Sequence, residues 1–431
     1  MQIHVVRSGE SLYSIAQTFD VLVADLASAN QIDPQDSLVI GQALVIPITG
    51  RYYFVQPGDS LYVIGSMFRI SASVLAQVNE IDMMRHLQIG QRLYIPPMPK
   101  AKIQTNAYAD TNIYGGFSKE TLASVAEESP LLTYAAPFSF QAKADGSLEM
   151  IDVSPVKTAS AGSGAVLMMV VTNLENGRFS NILGEAILNS VSVQNILLNN
   201  IVQTAIKTGF RDVHFDFEYL RPEDRENYNA FLWKASSRLH GEGLMMSTAL
   251  APKTSASQTG VWYSAHDYRA HGEAADFVVI MTYEWGYSGG PPMPVSPIGP
   301  VRKVLEYAKT EIPADKIMMG QNLYGYDWTL PYVQGGEYAR ALSPQDAIAL
   351  ARSRGADINY DYKAQAPFFS YYDYDGPPTE HIVWFEDARS ISAKFELLKE
   401  LGLRGISYWK LGLSFPQNWL LLGDRFIIAK R

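Results

Sequence analysis

Between Asp212 and Tyr219 the chain reads Asp-Val-His-Phe-Asp-Phe-Glu-Tyr. In an extended strand, alternation sets His214, Asp216 and Glu218 on one face and Val213, Phe215 and Phe217 on the other. If both faces are buried, three ionisable groups in a row are costly unless they pair or line a cleft. Two carboxylates two residues apart repel one another, so one holds a proton near neutral pH. A protonated carboxylic acid beside an ionised one is what protonation of a glycosidic oxygen requires. A buried polar network that only holds neighbouring loops would use the same residues. The D-x-E spacing is not specific by itself, since Asp224-x-Glu226 repeats it.

Other chemistries find less support. Gly286-Tyr-Ser-Gly-Gly290 fits G-x-S-x-G, but Pro291-Pro-Met-Pro294 follows where a nucleophile elbow needs a helix. That segment reads as a proline-stiffened loop over the cleft. The seven His are scattered, with His266 and His271 five apart and no H-E-x-x-H, so neither a metal nor a cofactor is expected. With no cysteine, disulfides, thiolate metal sites and Cys nucleophiles are excluded.

The elements that must hold these residues lie beyond a short stiff linker, Pro96-Pro-Met-Pro99. Strand-like apolar segments recur at Ile103–Tyr108, Leu131–Ala135, Ala165–Val171, Val213–Phe217, Met245–Leu250, Phe277–Met281, Ile317–Leu323 and Gly405–Trp409. Eight strands alternating with helices predict an α/β fold, a (β/α)8 TIM barrel over residues 101–431. Periodicity alone also permits a doubly wound sheet. In a barrel, the His214–Glu218 face lies at the carboxyl end of its strand, where such barrels carry chemistry. Tyr326 to Glu380 is too long for one loop, so a small α+β insertion is expected at about residues 329–380.

Ahead of the linker, residues 3–47 align without a gap on 52–96 at a constant offset of 49. Gly9-Glu-Ser-Leu-Tyr13 returns as Gly58-Asp-Ser-Leu-Tyr62, Asn30 as Asn79, and Ile46-Pro47 as Ile95-Pro96. Each unit, 1–48 and 51–97, reads as a strand (His4 to Arg7; Tyr53 to Gln56), two helices and a second strand. Leu12, Ile15, Ala16 and Phe19, repeated as Leu61, Ile64, Gly65 and Phe68, form the buried stripe of the first helix. Glu10-Ser11 and Asp59-Ser60 supply its cap and favourable charge.

The whole chain has 431 residues, 47% of them hydrophobic, with a net charge of −9 and 12% aromatics. The longest uninterrupted apolar run, Ala165–Val171, falls far short of the ~20 residues that span a bilayer. Membrane insertion is therefore not expected. The acidic balance, without a Lys/Arg cluster, argues against a nucleic-acid partner. The amino terminus, MQIHVVRSGE, lacks the apolar stretch of a secretory signal. The chain is expected to act as a monomer.

The repeat closely resembles the LysM module, a βααβ fold that recognises N-acetylglucosamine-containing polymers such as peptidoglycan and chitin. The resemblance implies a sugar groove between the Gly9–Tyr13 turn and the loop after Asn30, and another between Gly58–Tyr62 and the loop after Asn79. It makes Gly9, Glu10, Ser11, Asn30, Gly58, Asp59, Ser60 and Asn79 the candidate glycan-binding residues. Residues 1–97 hold 5 basic and 8 acidic side chains, so hydrogen bonds and apolar contact, not charge, must supply affinity. Two linked modules would raise it further.

The strand Phe210–Tyr219, followed by Met281-Thr-Tyr283-Glu284, Tyr324-Gly-Tyr-Asp-Trp328 and Tyr408-Trp409, resembles glycoside hydrolase family 18. The resemblance implies Glu218 as general acid/base and Asp216 as the residue orienting the substrate's 2-acetamido group. It implies Tyr283 as the tyrosine that hydrogen-bonds this group while its carbonyl oxygen attacks C1. The intermediate is then an oxazolinium ion and the outcome is retention, an exception to the two-carboxylate scheme. His214, Met281, Glu284 and Trp409 become substrate-side residues, with Trp409 beneath the reacting sugar. Glu284 stands where the family usually has Asp, while Arg211, Asp212 and His214 stand at its Asp, Gly and Asp. The family's usual Asp relay is thereby altered, although His214 has the means to donate to ionised Asp216.

Within the family, paired LysM modules with Met281-Thr-Tyr-Glu-Trp-Gly286 and Val383-Trp-Phe-Glu-Asp-Ala388 most resemble the spore-cortex-lytic group of spore-forming bacteria. That resemblance implies an N-acetylglucosaminidase on cortex peptidoglycan, working during germination. It also implies placement in the spore envelope from the mother cell. A chitinase and a non-catalytic glycan-binding protein are the alternatives.

Overall fold

The computed structural model of the protein describes residues 1–112 and 115–431. Eight parallel strands close on themselves: β1 (Ala101–Asp110), β2 (Tyr134–Phe138), β3 (Val166–Thr172), β4 (Asp212–Asp216), β5 (Met245–Leu250), β6 (Phe277–Ile280), β7 (Ile317–Asn322) and β8 (Gly405–Trp409). β4 pairs with both β3 and β5, and β8 pairs with β7 and β1. That closure excludes the doubly wound sheet.

Alternation along the strands sorts the core into two layers. Val213, Phe215 and Phe217 point outward into the layer under the helices, where Phe215 meets Phe231 edge-on at 5.3 Å. Tyr108, Tyr134, Met168, Val170, Phe277 and Met318 fill the barrel interior. The strand bearing the candidate acids runs one residue earlier than the apolar pattern predicts, ending at Asp216. Phe217 and Glu218 already belong to the turn leaving the barrel.

The insertion is a five-stranded antiparallel sheet, ordered 340–342, 325–330, 379–384, 366–373 and 359–361, with a helix at Pro344–Arg354. It therefore runs from Gly325 to Trp384 and is wider at both ends than residues 329–380. The outer segments pair with each other, Tyr326 opposite Trp384, so neither is a connecting loop.

Both amino-terminal repeats fold as βααβ: Gln2–Val5, Leu12–Phe19, Val23–Ala29 and Ala43–Ile46, then Arg51–Phe54, Leu61–Phe68, Ala72–Val78 and Arg92–Ile95. The first strand of each begins and ends two residues earlier than predicted. Pairing stops at Val5 opposite Ala43 and at Phe54 opposite Arg92, after which the chain turns toward the first helix. Ser11 and Ser60 cap those helices, accepting from the backbone N–H of Ser14 and Val63. Among the described residues no single helix is long and apolar enough to cross a membrane.

Candidate active site at the carboxyl end of the barrel

Glu218 is fixed through its backbone. Its N–H donates to Asn173 Oδ1 at 2.9 Å, and Asn173 Nδ2 returns a bond to the Glu218 carbonyl at 2.9 Å. The next residue, Tyr219, takes a left-handed conformation at φ 54°, in the turn that follows the strand. The Glu218 carboxylate is buried and accepts a hydrogen bond from the indole N–H of Trp262. Burial pushes its pKa well above the usual carboxylate range, the charge of Asp216 adds to this, and the Trp262 bond opposes it. Burial also pushes Asp216 up, to about 7. Asp216 Oδ1 is buried with no hydrogen-bond partner among the described residues, an acceptor left for something that enters the site.

His214 lies inside the barrel with both ring nitrogens occupied. Its Nε2 is 3.0 Å from the Tyr108 hydroxyl and its Nδ1 is 2.8 Å from Ser247 Oγ, which donates to Asp212 Oδ1 at 2.6 Å. Ser247 has one proton and gives it to Asp212, so it accepts from His214 Nδ1–H, leaving Nε2 to accept from Tyr108. Burial pushes the His214 pKa down to about 3, so the ring is neutral at physiological pH. The expectation that His214 donates to Asp216 is corrected: its only N–H faces Ser247. Asp212, on the same face as His214 and pushed up to about 7 by burial, ends this chain.

Tyr283 reaches the site from the segment after β6. Gly320 on β7 makes room for it, because a Cβ there would come within 2.9 Å of the Tyr283 ring and 2.6 Å of the Ile280 carbonyl. The hydroxyl is buried, and its pKa is raised first by burial and then by Tyr108, Asp216 and Glu218. Glu284 follows at φ 66°, a second left-handed residue directly after a site residue. Its Oε1 accepts from the hydroxyls of Tyr324 and Tyr326, the latter at 3.0 Å. Glu284 is thus braced by the first strand of the insertion. Met281 and Tyr283 pack in one cluster with Tyr324, Tyr326 and Trp328, against which Trp262 and Trp409 lie. Trp409 stands edge-on to Phe138 at 4.8 Å and to Tyr108 at 5.5 Å, half-buried at the end of β8.

The structure therefore gathers Asp216, Glu218, Tyr283, Met281, Glu284 and Trp409 around one barrel mouth; His214, expected on the substrate side, instead lies fully buried inside the barrel with both ring nitrogens held by Tyr108 and Ser247. Sequence reasoning missed Trp262, which sits in the irregular segment after β5 where no periodicity marks it. Asn173 and Ser247 were also missed, since their roles depend on contacts across the barrel. Beside Glu218, Phe179, Tyr219 and Trp262 form a row of stacked rings, with centroids 6.3 Å apart at each step. Two open depressions of about 690 and 750 Å³ flank Tyr219, one lined by Glu175 and Phe179, the other by Arg225 and Val261. Among the described residues no group of three His, Asp or Glu is arranged to hold a metal ion.

In the repeats, most of the named side chains serve the module's own fold. Glu10 accepts from Arg7 N–H, and Asp59 accepts from Gln56 N–H and the Tyr53 hydroxyl. Asn30 bonds the Leu26 carbonyl and both backbone groups of Val45; Asn79 does the same with Leu75 and Tyr94. Gly9 and Gly58 hold the turn at φ 83° and 86° and are open to solvent.

The glycosyl hydrolases family 18 model matches residues 138–413, and the LysM domain model matches 4–47 and 53–96. The chain belongs to glycosyl hydrolases family 18. This family 18 chain is 62% identical to the cortical fragment-lytic enzyme of Bacillus subtilis (strain 168), covering 100% of this chain and 99% of that protein. It is 51% identical to the cortical fragment-lytic enzyme of Bacillus anthracis, with both chains covered fully. The crystal structure of the Bacillus megaterium QM B1551 spore cortex-lytic enzyme SleL superposes with a TM-score of 0.92 at 52% identity, covering 100% of this chain and 99% of that one.

Proposed function

We propose that this family 18 hydrolase cuts spore-cortex peptidoglycan during germination, as an N-acetylglucosaminidase acting with retention. The observation that carries the mechanism is the buried Asp216–Glu218 pair, in which burial and the charge of Asp216 push the Glu218 carboxyl toward its protonated form and Asp216 keeps an unpartnered oxygen. Glu218 protonates the glycosidic oxygen as the bond to C1 breaks. Asp216 accepts from the acetamido N–H, and the Tyr283 hydroxyl holds the same group so that its carbonyl oxygen closes on C1. The nucleophile belongs to the substrate, so an N-acetyl sugar is obligatory at the cleaved position. Glu218, now a carboxylate, then takes a proton from the water that opens the oxazolinium ion. Trp409 forms the floor beneath the reacting sugar.

Likeness over the full length to cortical fragment-lytic enzymes supports cortex peptidoglycan as the polymer and the spore envelope as the location. Supply from the mother cell is part of the same proposal. The proposed working form is a monomer. Mass spectrometry of cortex digests made with wild type and Glu218→Gln tests the assignment. New reducing ends at N-acetylglucosamine, absent with Glu218→Gln, are expected. Ends at muramic acid would overturn it, and faster turnover of chitin oligomers than of cortex fragments would make the enzyme a chitinase. Release of no ends from either polymer, with retained binding, would make it a lectin.

A further inference from the structure

The two repeats share a fold but not a setting, and the difference begins in the sequence. In the second strand of each, Leu44 and Ile46 correspond to Leu93 and Ile95, all buried in their own module. The alternate positions diverge: Ala43 and Val45 in the first module become Arg92 and Tyr94 in the second. Ala43 and Val45 are buried in the barrel's own core, against the helices at Ala388–Leu401 and Pro416–Arg425. The first module's second strand is therefore buried on both faces, half by its module and half by the barrel.

The loop after Asn30 is tied down in the same way. Gln345 donates to the Asn30 carbonyl at 2.7 Å, Ser414 donates to Gln31 at 2.7 Å, and Arg352 bonds Asp36 and the Ser37 carbonyl. Ile358 N–H donates to the Ile40 carbonyl at 2.9 Å, and Val39 is buried within the core of the insertion. A Cβ on Gly41 would lie 1.8 Å from the Ile358 carbonyl oxygen, whereas a Cβ on Gly90 would meet nothing within 4 Å. One wall of the first groove is thus the seam between module, insertion and barrel.

Among the described residues, nothing outside its own module is found against the matching wall of the second, and a Cβ on Gly90 meets nothing. On its loop Met84 and Ile89 are 89% and 71% exposed, against 40% for Ile40, the counterpart of Ile89, while the turn residues Tyr13 and Tyr62 are exposed in both modules. Charge differs too, since residues 1–50 hold one Arg against five acidic side chains, and residues 51–97 hold four Arg against three. A glycan bearing lactyl or peptide carboxylates meets less repulsion at the second module.

We propose that the first module is a built-in part of the catalytic domain and that the second alone captures the glycan strand outside the cleft. This rests on the glycan reading given above. Its occupant is an N-acetylglucosamine-containing strand seated between the Gly58–Tyr62 turn and the 82–89 loop, in contact with Tyr62 and Met84.

Co-sedimentation of the full chain with insoluble chitin and with peptidoglycan sacculi tests it, in a Glu218→Gln background that prevents digestion. Tyr62→Ala with Met84→Ala is expected to weaken retention by about tenfold or more, the scale of a lost ring contact with its apolar neighbour. The matched pair Tyr13→Ala with Gln35→Ala is expected to stay within about twofold, as surface truncations away from a binding site do. Equal losses, a loss only from the first module, or no loss from either would each overturn the division. If the Glu218→Gln protein sediments with neither polymer, the glycan reading falls instead. A second measurement tests the docking itself: Gly41→Ala and Gly90→Ala carry the same left-handed strain, at φ 83° and 81°, so a lower Tm for Gly41→Ala is expected. Equal melting temperatures would overturn the built-in role.

Discussion

Glu218 has to remain protonated before the bond breaks and ionise afterwards, and its neighbours pull it in both directions. Burial and Asp216 raise its pKa, while the Trp262 indole N–H, which bonds only the lone pairs of the acceptor, favours the charged form. Removing that donor with Trp262→Phe should raise the pKa further. The alkaline limb of the kcat/KM–pH profile is then expected to move to higher pH, and a limb that stays or moves down would show that the indole does not tune the acid. His214 makes the opposite kind of prediction. With its pKa pushed down to about 3, it takes up no proton as pH falls from 8 to 5. The unfolded chain, with an ordinary His, takes one up below about 6.5. Burial of His214 therefore subtracts stability as pH falls through that value and contributes no limb to the activity profile. Nitrogen NMR of ring-labelled protein should show one imidazole, lost in His214→Asn, that keeps the pattern of a neutral ring from pH 8 to 5.

At the scale of elements, the site is a set of strand ends whose exact positions depend on small residues and cross-strand bonds. Gly320 on β7 is the clearest case, because Tyr283 of the neighbouring segment lies where its side chain would be. Gly320→Ala should destabilise the protein by about 1–3 kcal/mol through overpacking. It should also lower kcat, since the tyrosine must move. Urea denaturation beside steady-state kinetics checks both, and unchanged kcat would mean that Tyr283 tolerates displacement. Most of the barrel strands are legible as apolar runs, because a parallel strand buried on both faces has little choice of residue; the second, expected at Leu131–Ala135, instead runs from Tyr134 to Phe138, because Ser129–Leu131 forms a helical turn before it. Their ends were less so. The register of β4 against β3 and β5, not any residue within it, sets where Asp216 stops pairing and Glu218 turns out of the sheet.

Across the whole molecule, the insertion returns to the barrel through Glu386, whose carboxylate is fully buried against Lys394 at 3.1 Å. The pair joins the segment leaving the inserted sheet to the helix packed beside β8. Lys394→Ala leaves Glu386 buried without its partner and should cost about 3–5 kcal/mol. Combining Glu386→Gln with Lys394→Met should recover most of that loss, as measured by thermal unfolding of the double variant. If the double variant is no more stable than Lys394→Ala, the pair does more than neutralise itself. The same whole-molecule contacts separate two modules that share most of their motif, because only one of them meets Ile358 and Arg352.

By itself the sequence determined the duplicated βααβ units, eight strands alternating with helices, and the alternation that puts His214, Asp216 and Glu218 on one face. All three follow from period and spacing along the chain, which local geometry enforces. The tertiary structure decided what those side chains touch. Trp262 on Glu218, Ser247 rather than Asp216 on His214, and the burial of one LysM loop against the barrel are contacts between residues far apart in the chain. No periodicity encodes them, because they depend on where the closed barrel brings its strand ends and which face of a module meets it.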